Sequence, residues 1–183
     1  MNLKVKQLVT IAMLAAICTV LSYFSVKFIN FEFTFASIPV HISGLLFGPV
    51  DGMLVGGVGT LLYQLLSYGV TATTLLWVLP YALCGGLVGW AARRKDFRLS
   101  RVQTVALAVC AELMITLLNT GSLYLDSHIY GYYTPSLIAG VFLLRLAVCV
   151  GKATVYGMLL PEVVRPLRRA VRLDLAPQKE RRK

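Results

Sequence analysis

Residues 8–26 carry no charged side chain. An apolar stretch of that length has one favourable home, a helix that crosses a bilayer. Such a helix satisfies its backbone polar groups internally, as a hydrocarbon surround requires. Five further apolar runs follow, at 37–48, 53–68, 75–92, 102–125 and 136–160. Only 14% of the chain is charged, against about a quarter in soluble domains. The expected fold is therefore all-α, an integral membrane six-helix bundle occupying residues 1–165, followed by a basic tail at 166–183. The first run is too long for the apolar core of a signal peptide, and no clear small-x-small cleavage site follows it. It is expected to stay as the first span.

Several local features qualify this picture. The second run, about 12 residues, rises only ~18 Å as a helix, against a ~30 Å hydrocarbon core. It must borrow length from its flanks or be sheltered by protein. Pro49 and Gly52 around Asp51 read as a turn, so the second and third helices meet almost without a loop. Gly52, Gly56, Gly57 and Gly59 then let another backbone come close. Pro80 is expected to kink the fourth span. Residues 27–35 alternate aromatic and polar side chains, which suggests an extended segment at the membrane–water interface, either a lid or a plain connector. Cys18, Cys84, Cys110 and Cys149 stand singly in apolar runs and read as small packing residues.

Charge sets the orientation. Of the 18 Lys and Arg residues, all but Lys27, Arg145 and Lys152 fall at the N-terminus, in the loop at 93–101, or from Arg165 onward. Such asymmetry places both termini in the cytoplasm. It also accounts for a net charge of +10 without nucleic acid, since anionic lipid heads lie on that side. Residues 163–175 are expected along the inner surface and the final ten are expected to be disordered.

Ionisable groups within spans are costly and face the bundle interior. Three occur: Glu112, Arg145 and Lys152. Counted inward from the span ends, Glu112 and Lys152 lie at similar mid-depth, so they are expected to pair and hold the bundle together. Arg145 and Lys152 differ by seven, as do Glu112 and Asn119, so two helices each present a polar stripe. No acidic residue on the spans shares the depth of Arg145, and a guanidinium there invites an anion or planar acceptor. Trp77, Tyr81, Tyr124, Tyr130, Tyr132 and Tyr133 fall in the same outer half. An aromatic belt would explain most of them. Together with Gln64, Thr73, Thr74, Asn119 and a cation, they would also form a pocket for a flat heterocycle bearing a carboxylate.

Catalytic chemistry finds little support. His41 and His128 are solitary and lack metal-ligand spacing. Gly121-Ser122 lacks the setting of a protease nucleophile. No glycine-rich phosphate loop with Lys and Ser/Thr is present, so the chain cannot itself power transport. Asp51-Gly52 has none of the further aspartates that a two-metal site needs. No metal or cofactor is expected.

Six spans in so short a chain, the small-residue stripe Ala12/Ala16, LLFGPVDG between the second and third spans, and GVTATTLLWVLPYALCGGLVG in the fourth resemble the substrate-binding S-components of energy-coupling factor (ECF) vitamin transporters. The resemblance is nearest to the folate family and covers residues 4–165. It implies a subunit that captures a vitamin outside the plasma membrane and carries it inward. Its implied partners are a transmembrane coupling subunit, which Ala12 and Ala16 would contact, and two ATPase subunits. It also implies that outer segments 27–35, 68–74 and 126–135 close over the ligand. With the residues read above, the expected binding set is Arg145, Asn119, Lys27, Gln64, Trp77, Tyr81, Thr74 and Tyr124. An S-component for another vitamin or nucleobase-like precursor, and a non-transporting membrane scaffold, are the alternative readings.

Overall fold

The computed structural model describes the backbone of residues 3–28 and 31–180, and side chains at 5–25, 34–140 and 142–167. Six helices dominate: α1 (Leu3–Tyr23), α2 (Ser37–Phe47), α3 (Pro49–Tyr68), α4 (Thr74–Arg94), α5 (Arg101–Ile129) and α6 (Pro135–Glu180). Between α1 and α2 runs a short antiparallel pair, β1 (Val26–Phe28) and β2 (Phe31–Phe33), with Lys27 opposite Glu32. The alternating aromatic segment is thus extended at 27–28 and 31–33, as its pattern suggests. Five of the helices are long and apolar enough to cross a membrane.

The short α2 is the sheltered one. Eight of its 11 residues are buried, from Ser37 to Leu45. Protein, not lipid, therefore surrounds most of its length, which removes the mismatch its brevity would otherwise create. Its end also corrects the reading of the PVDG segment. Pro49 opens α3 as its first residue, where a missing N–H costs nothing and the fixed φ suits a helix. The break is Gly48 alone, at φ 107°, a backbone state that side-chain-bearing residues rarely adopt.

Glycines bring the middle helices into backbone contact. A Cβ built on Gly85 would fall 2.1 Å from the Gly52 carbonyl oxygen, and one on Gly56 2.3 Å from that of Tyr81. At these two points helices α3 and α4 meet backbone to backbone, the arrangement that dispersion favours where water supplies no drive. On α1 the Cys18 side chain and the Ala15 carbonyl fill the space at Gly59, where an added Cβ would fall 2.6 Å from Cys18 Cβ and 2.9 Å from the Ala15 oxygen. Helix α4 runs through Pro80 as one element.

Helix α5 begins with a reciprocal cap: Gln103 N–H donates to Ser100 Oγ at 3.2 Å, and Ser100 N–H to Gln103 Oε1 at 3.0 Å. Its 29 residues rise ~43 Å, well beyond a hydrocarbon core. At the same end of the bundle, Arg101 of α5 pairs with Glu162 of α6. Helix α6 extends past the expected span as one helix to Glu180. Cys18, Cys84 and Cys149 are buried, whereas Cys110 is exposed on α5.

Candidate functional site

Helix α6 places Arg145, Val148, Cys149 and Lys152 on one face, and α5 places Ile115, Thr116 and Asn119 on another. Together with Thr60, Tyr63 and Gln64 of α3, Trp77 and Tyr81 of α4, Ser22 and Thr34, they enclose a cavity of about 130 Å³. At roughly 10–15 Å³ per water position, this is room for a small molecule and far more than one buried water.

The wall divides by chemistry. Ser22, Thr60 and Thr116 donate their hydroxyl hydrogens to the carbonyls of Cys18, Gly56 and Glu112, four residues earlier in their own helices. Thr34 likewise donates to the Leu21 carbonyl at 3.1 Å. The oxygens of Ser22, Thr60 and Thr116 are left as acceptors, whereas Thr34 Oγ1 already accepts from the Ala36 N–H at 3.1 Å. Asn119 Oδ1 is buried and has no hydrogen-bond partner among the described residues. The cations come from α6. Arg145 Nη1 donates to Thr120 Oγ1 at 3.4 Å, and Lys152 Nζ stands 2.8 Å from Glu112 Oε2. Aromatic surface comes from Tyr63, Trp77 and Tyr81. Tyr63 is held edge-on between Tyr23 and Tyr68, at centroid distances of 5.4 and 6.0 Å. Acceptors, two cations and rings in one space suit a planar molecule that carries N–H donors and an acidic group.

A second polar cluster joins the cavity wall at Thr34. His41 Nδ1 is 2.6 Å from the Ser37 carbonyl; a carbonyl only accepts, so Nδ1 carries the hydrogen and Nε2 is the acceptor. Tyr156 accepts from Ser37 Oγ at 3.3 Å and donates to the Thr34 carbonyl at 3.4 Å. It thereby ties α6 to the segment that follows the β pair.

Of the expected binding set, Arg145, Asn119, Gln64, Trp77 and Tyr81 meet at the cavity. Thr74 and Tyr124 do not line it. Thr74 is buried and its Oγ1 accepts from Thr71 N–H at 2.9 Å; Tyr124 is exposed and its ring lies against those of His128 and Tyr133. The backbone of Lys27 lies in β1, but its side chain is outside the described residues. Lys152, expected to serve structure alone, both pairs with Glu112 and lines the cavity. Ala12 and Ala16 are exposed on α1, while Ala15 between them is buried.

A sequence model of the family described as "ECF transporter, substrate-specific component" matches residues 6–163. Two solved structures share the architecture. A crystal structure of FolT bound with folic acid superposes with a TM-score of 0.63 at 18% identity, over 83% of this chain and 89% of that one. The S component of a bacterial ECF transporter gives 0.65 at 20% identity, over 90% and 99%. No curated protein matches the chain in sequence.

Proposed function

The chain belongs to the family of ECF transporter substrate-specific components, and from that premise we propose that its substrate is folate or a related pterin. It captures this substrate outside the plasma membrane, with both termini in the cytoplasm. Residues 1–165 form the binding domain and 166–183 a basic cytoplasmic tail. Inward delivery requires a transmembrane coupling subunit, docked at Ala12 and Ala16, and two subunits that hydrolyse ATP.

The observation that carries this reading is the cavity wall. Arg145 and Lys152 suit the carboxylates of a glutamyl tail, and Trp77, Tyr81 and Tyr63 suit a flat bicyclic ring. The acceptors at Ser22, Thr60, Thr116 and Asn119 suit the amino and ring N–H groups of a pterin. A structural relative holds folic acid, in keeping with this choice, though at that identity the likeness carries the fold alone. The experiment is to purify the protein from cells grown in folate-containing medium and identify the co-purifying small molecule by mass spectrometry. Folate or a pterin is expected. Recovery of a different vitamin would replace the ligand and leave the subunit's role standing.

A further inference from the structure

Near the end of α5 the carboxylate of Asp126 gathers donors from three segments. Thr73 Oγ1 donates to Oδ1 at 2.5 Å and Trp77 Nε1 donates to the same oxygen at 3.4 Å. The Tyr132 hydroxyl donates to Oδ2. Each donor is placed by its own local structure. Thr73 is the N-cap residue of α4, yet its side chain makes no cap bond to that helix, because its hydroxyl is directed at Asp126. A carboxylate beside a helix N-terminus gains further from the positive end of the helix dipole. Tyr132 follows Gly131, whose φ of 73° turns the chain back on α5. The Tyr132 N–H then donates to the Ser127 carbonyl at 3.0 Å, the six-to-one bond that ends a helix in a left-handed turn. One turn earlier, Ser122 Oγ donates to the Leu76 carbonyl at 2.7 Å and fixes α5 against the start of α4.

Trp77 is also a wall of the cavity. We infer that Asp126 is a positioning residue for substrate binding: it sets the Trp77 ring and clasps the loop before α4 to the turn after α5 across the cavity rim. The arrangement calls for a carboxylate. All three partners are donors, and only a group with two accepting oxygens serves both sides; an amide offers one. For the binding step, the inference rests on the pterin reading above.

The test has one arm without ligand and one with it. In a Trp90→Phe background Trp77 is the only tryptophan, and its quenching by acrylamide is measured in the full-length protein in lipid nanodiscs. Asp126→Ala is expected to make Trp77 clearly more quenchable with the melting temperature little changed, and Asp126→Asn to fall between. In the second arm, folic acid is expected to dissociate about tenfold faster from Asp126→Ala, as for loss of a charge-assisted hydrogen bond, with association little altered. Unchanged Trp77 quenching overturns the inference. If folic acid fails to bind the unmodified protein, the ligand reading falls and the quenching arm still decides Asp126. Should Asp126→Ala not fold, Thr73→Val removes one tie while keeping Asp126 and Trp77, and the same quenching result decides.

Discussion

Lys152 Nζ lies 2.8 Å from Glu112 Oε2, with the two side chains 10% and 1% exposed. The pair bridges α6 and α5 where neither group has bulk water to fall back on. The lysine also faces the cavity, whereas Glu112 does not line it. Stability and binding thus meet at Lys152 but part at Glu112.

Glu112→Gln and Lys152→Met are each expected to destabilise the purified protein by about 3–5 kcal/mol, because each leaves one buried charge without compensation. The double variant is expected to lose less than the two singles combined. Thermal unfolding in one detergent measures all four proteins. Folic acid binding adds a second readout: Lys152→Met weakens it, while Glu112→Gln, where it folds, retains most of it. Strict additivity of the two singles would remove the pair as a stabilising unit.

Arg145→Ala is expected to weaken folic acid binding by well over tenfold, more than about 1.4 kcal/mol, without loss of fold. Arg145→Lys should recover only part of this, since a point charge replaces a planar fork. Isothermal titration of the purified variants checks it, and wild-type affinity in Arg145→Ala would take Arg145 out of the site.

Much of this site follows from helical spacing. Residues 112, 115, 116 and 119 of α5 and 145, 148, 149 and 152 of α6 share one pattern, i, i+3, i+4, i+7, the signature of a single helix face. The steps of seven were legible at Glu112–Asn119 and Arg145–Lys152, and the residues between them follow by filling in the face. Thr60, Tyr63 and Gln64 obey the same rule on α3. Tyr124 was misplaced for a related reason. Extending the α5 stripe by seven from Asn119 lands on Asp126, and only a helix that runs past 125 to Ile129 makes that step visible. Ser22 and Thr34 gave no such signal, because their place at the cavity depends on how α1 and the β pair meet the other helices. Pro49 is the opposite case. The cue was present, since proline favours the first helical position, but a Pro-Gly pair reads equally well as a turn.

Gly85→Ala is expected to destabilise the protein by at least about 1–3 kcal/mol, since the new methyl would meet the Gly52 carbonyl and backbones cannot yield as side chains do. Gly121, also helical, has open space around it, with nothing within 4 Å of where a Cβ would stand. Gly121→Ala should be neutral or stabilise by up to about 1 kcal/mol through reduced freedom of the unfolded chain. Melting temperatures of the two variants, measured side by side, separate close backbone contact from a general effect of losing glycine.

Burial and the bond to Asp126 push the Tyr132 hydroxyl up to about 12, against an ordinary tyrosine value near 10. The fold therefore favours the neutral form. Its contribution is fully present below about pH 10 and is lost as pH rises toward 12. The difference in tyrosinate absorbance between wild type and Tyr132→Phe is expected to show one tyrosine titrating late. Asp126→Asn should return it toward the ordinary range; no change would mean that the carboxylate does not hold the hydroxyl.

Neighbouring alanines on α1 should separate folding from transport. Ala15 is buried against Gly59, whereas Ala12 and Ala16 look outward. An outward stripe of small residues lets a second helix approach closely, and in lipid such contacts depend on shape more than on water. Ala16→Leu adds bulk only to the exposed face, so folic acid binding should stay at the wild-type level. Uptake of radiolabelled folate by cells that supply the coupling and ATPase subunits should fall nearly to background. Ala15→Leu, by contrast, should lower the melting temperature, because its side chain would press on α3. Should Ala16→Leu instead lose binding while uptake falls only in proportion, the stripe would be an internal packing surface, and the coupling subunit would have to dock elsewhere.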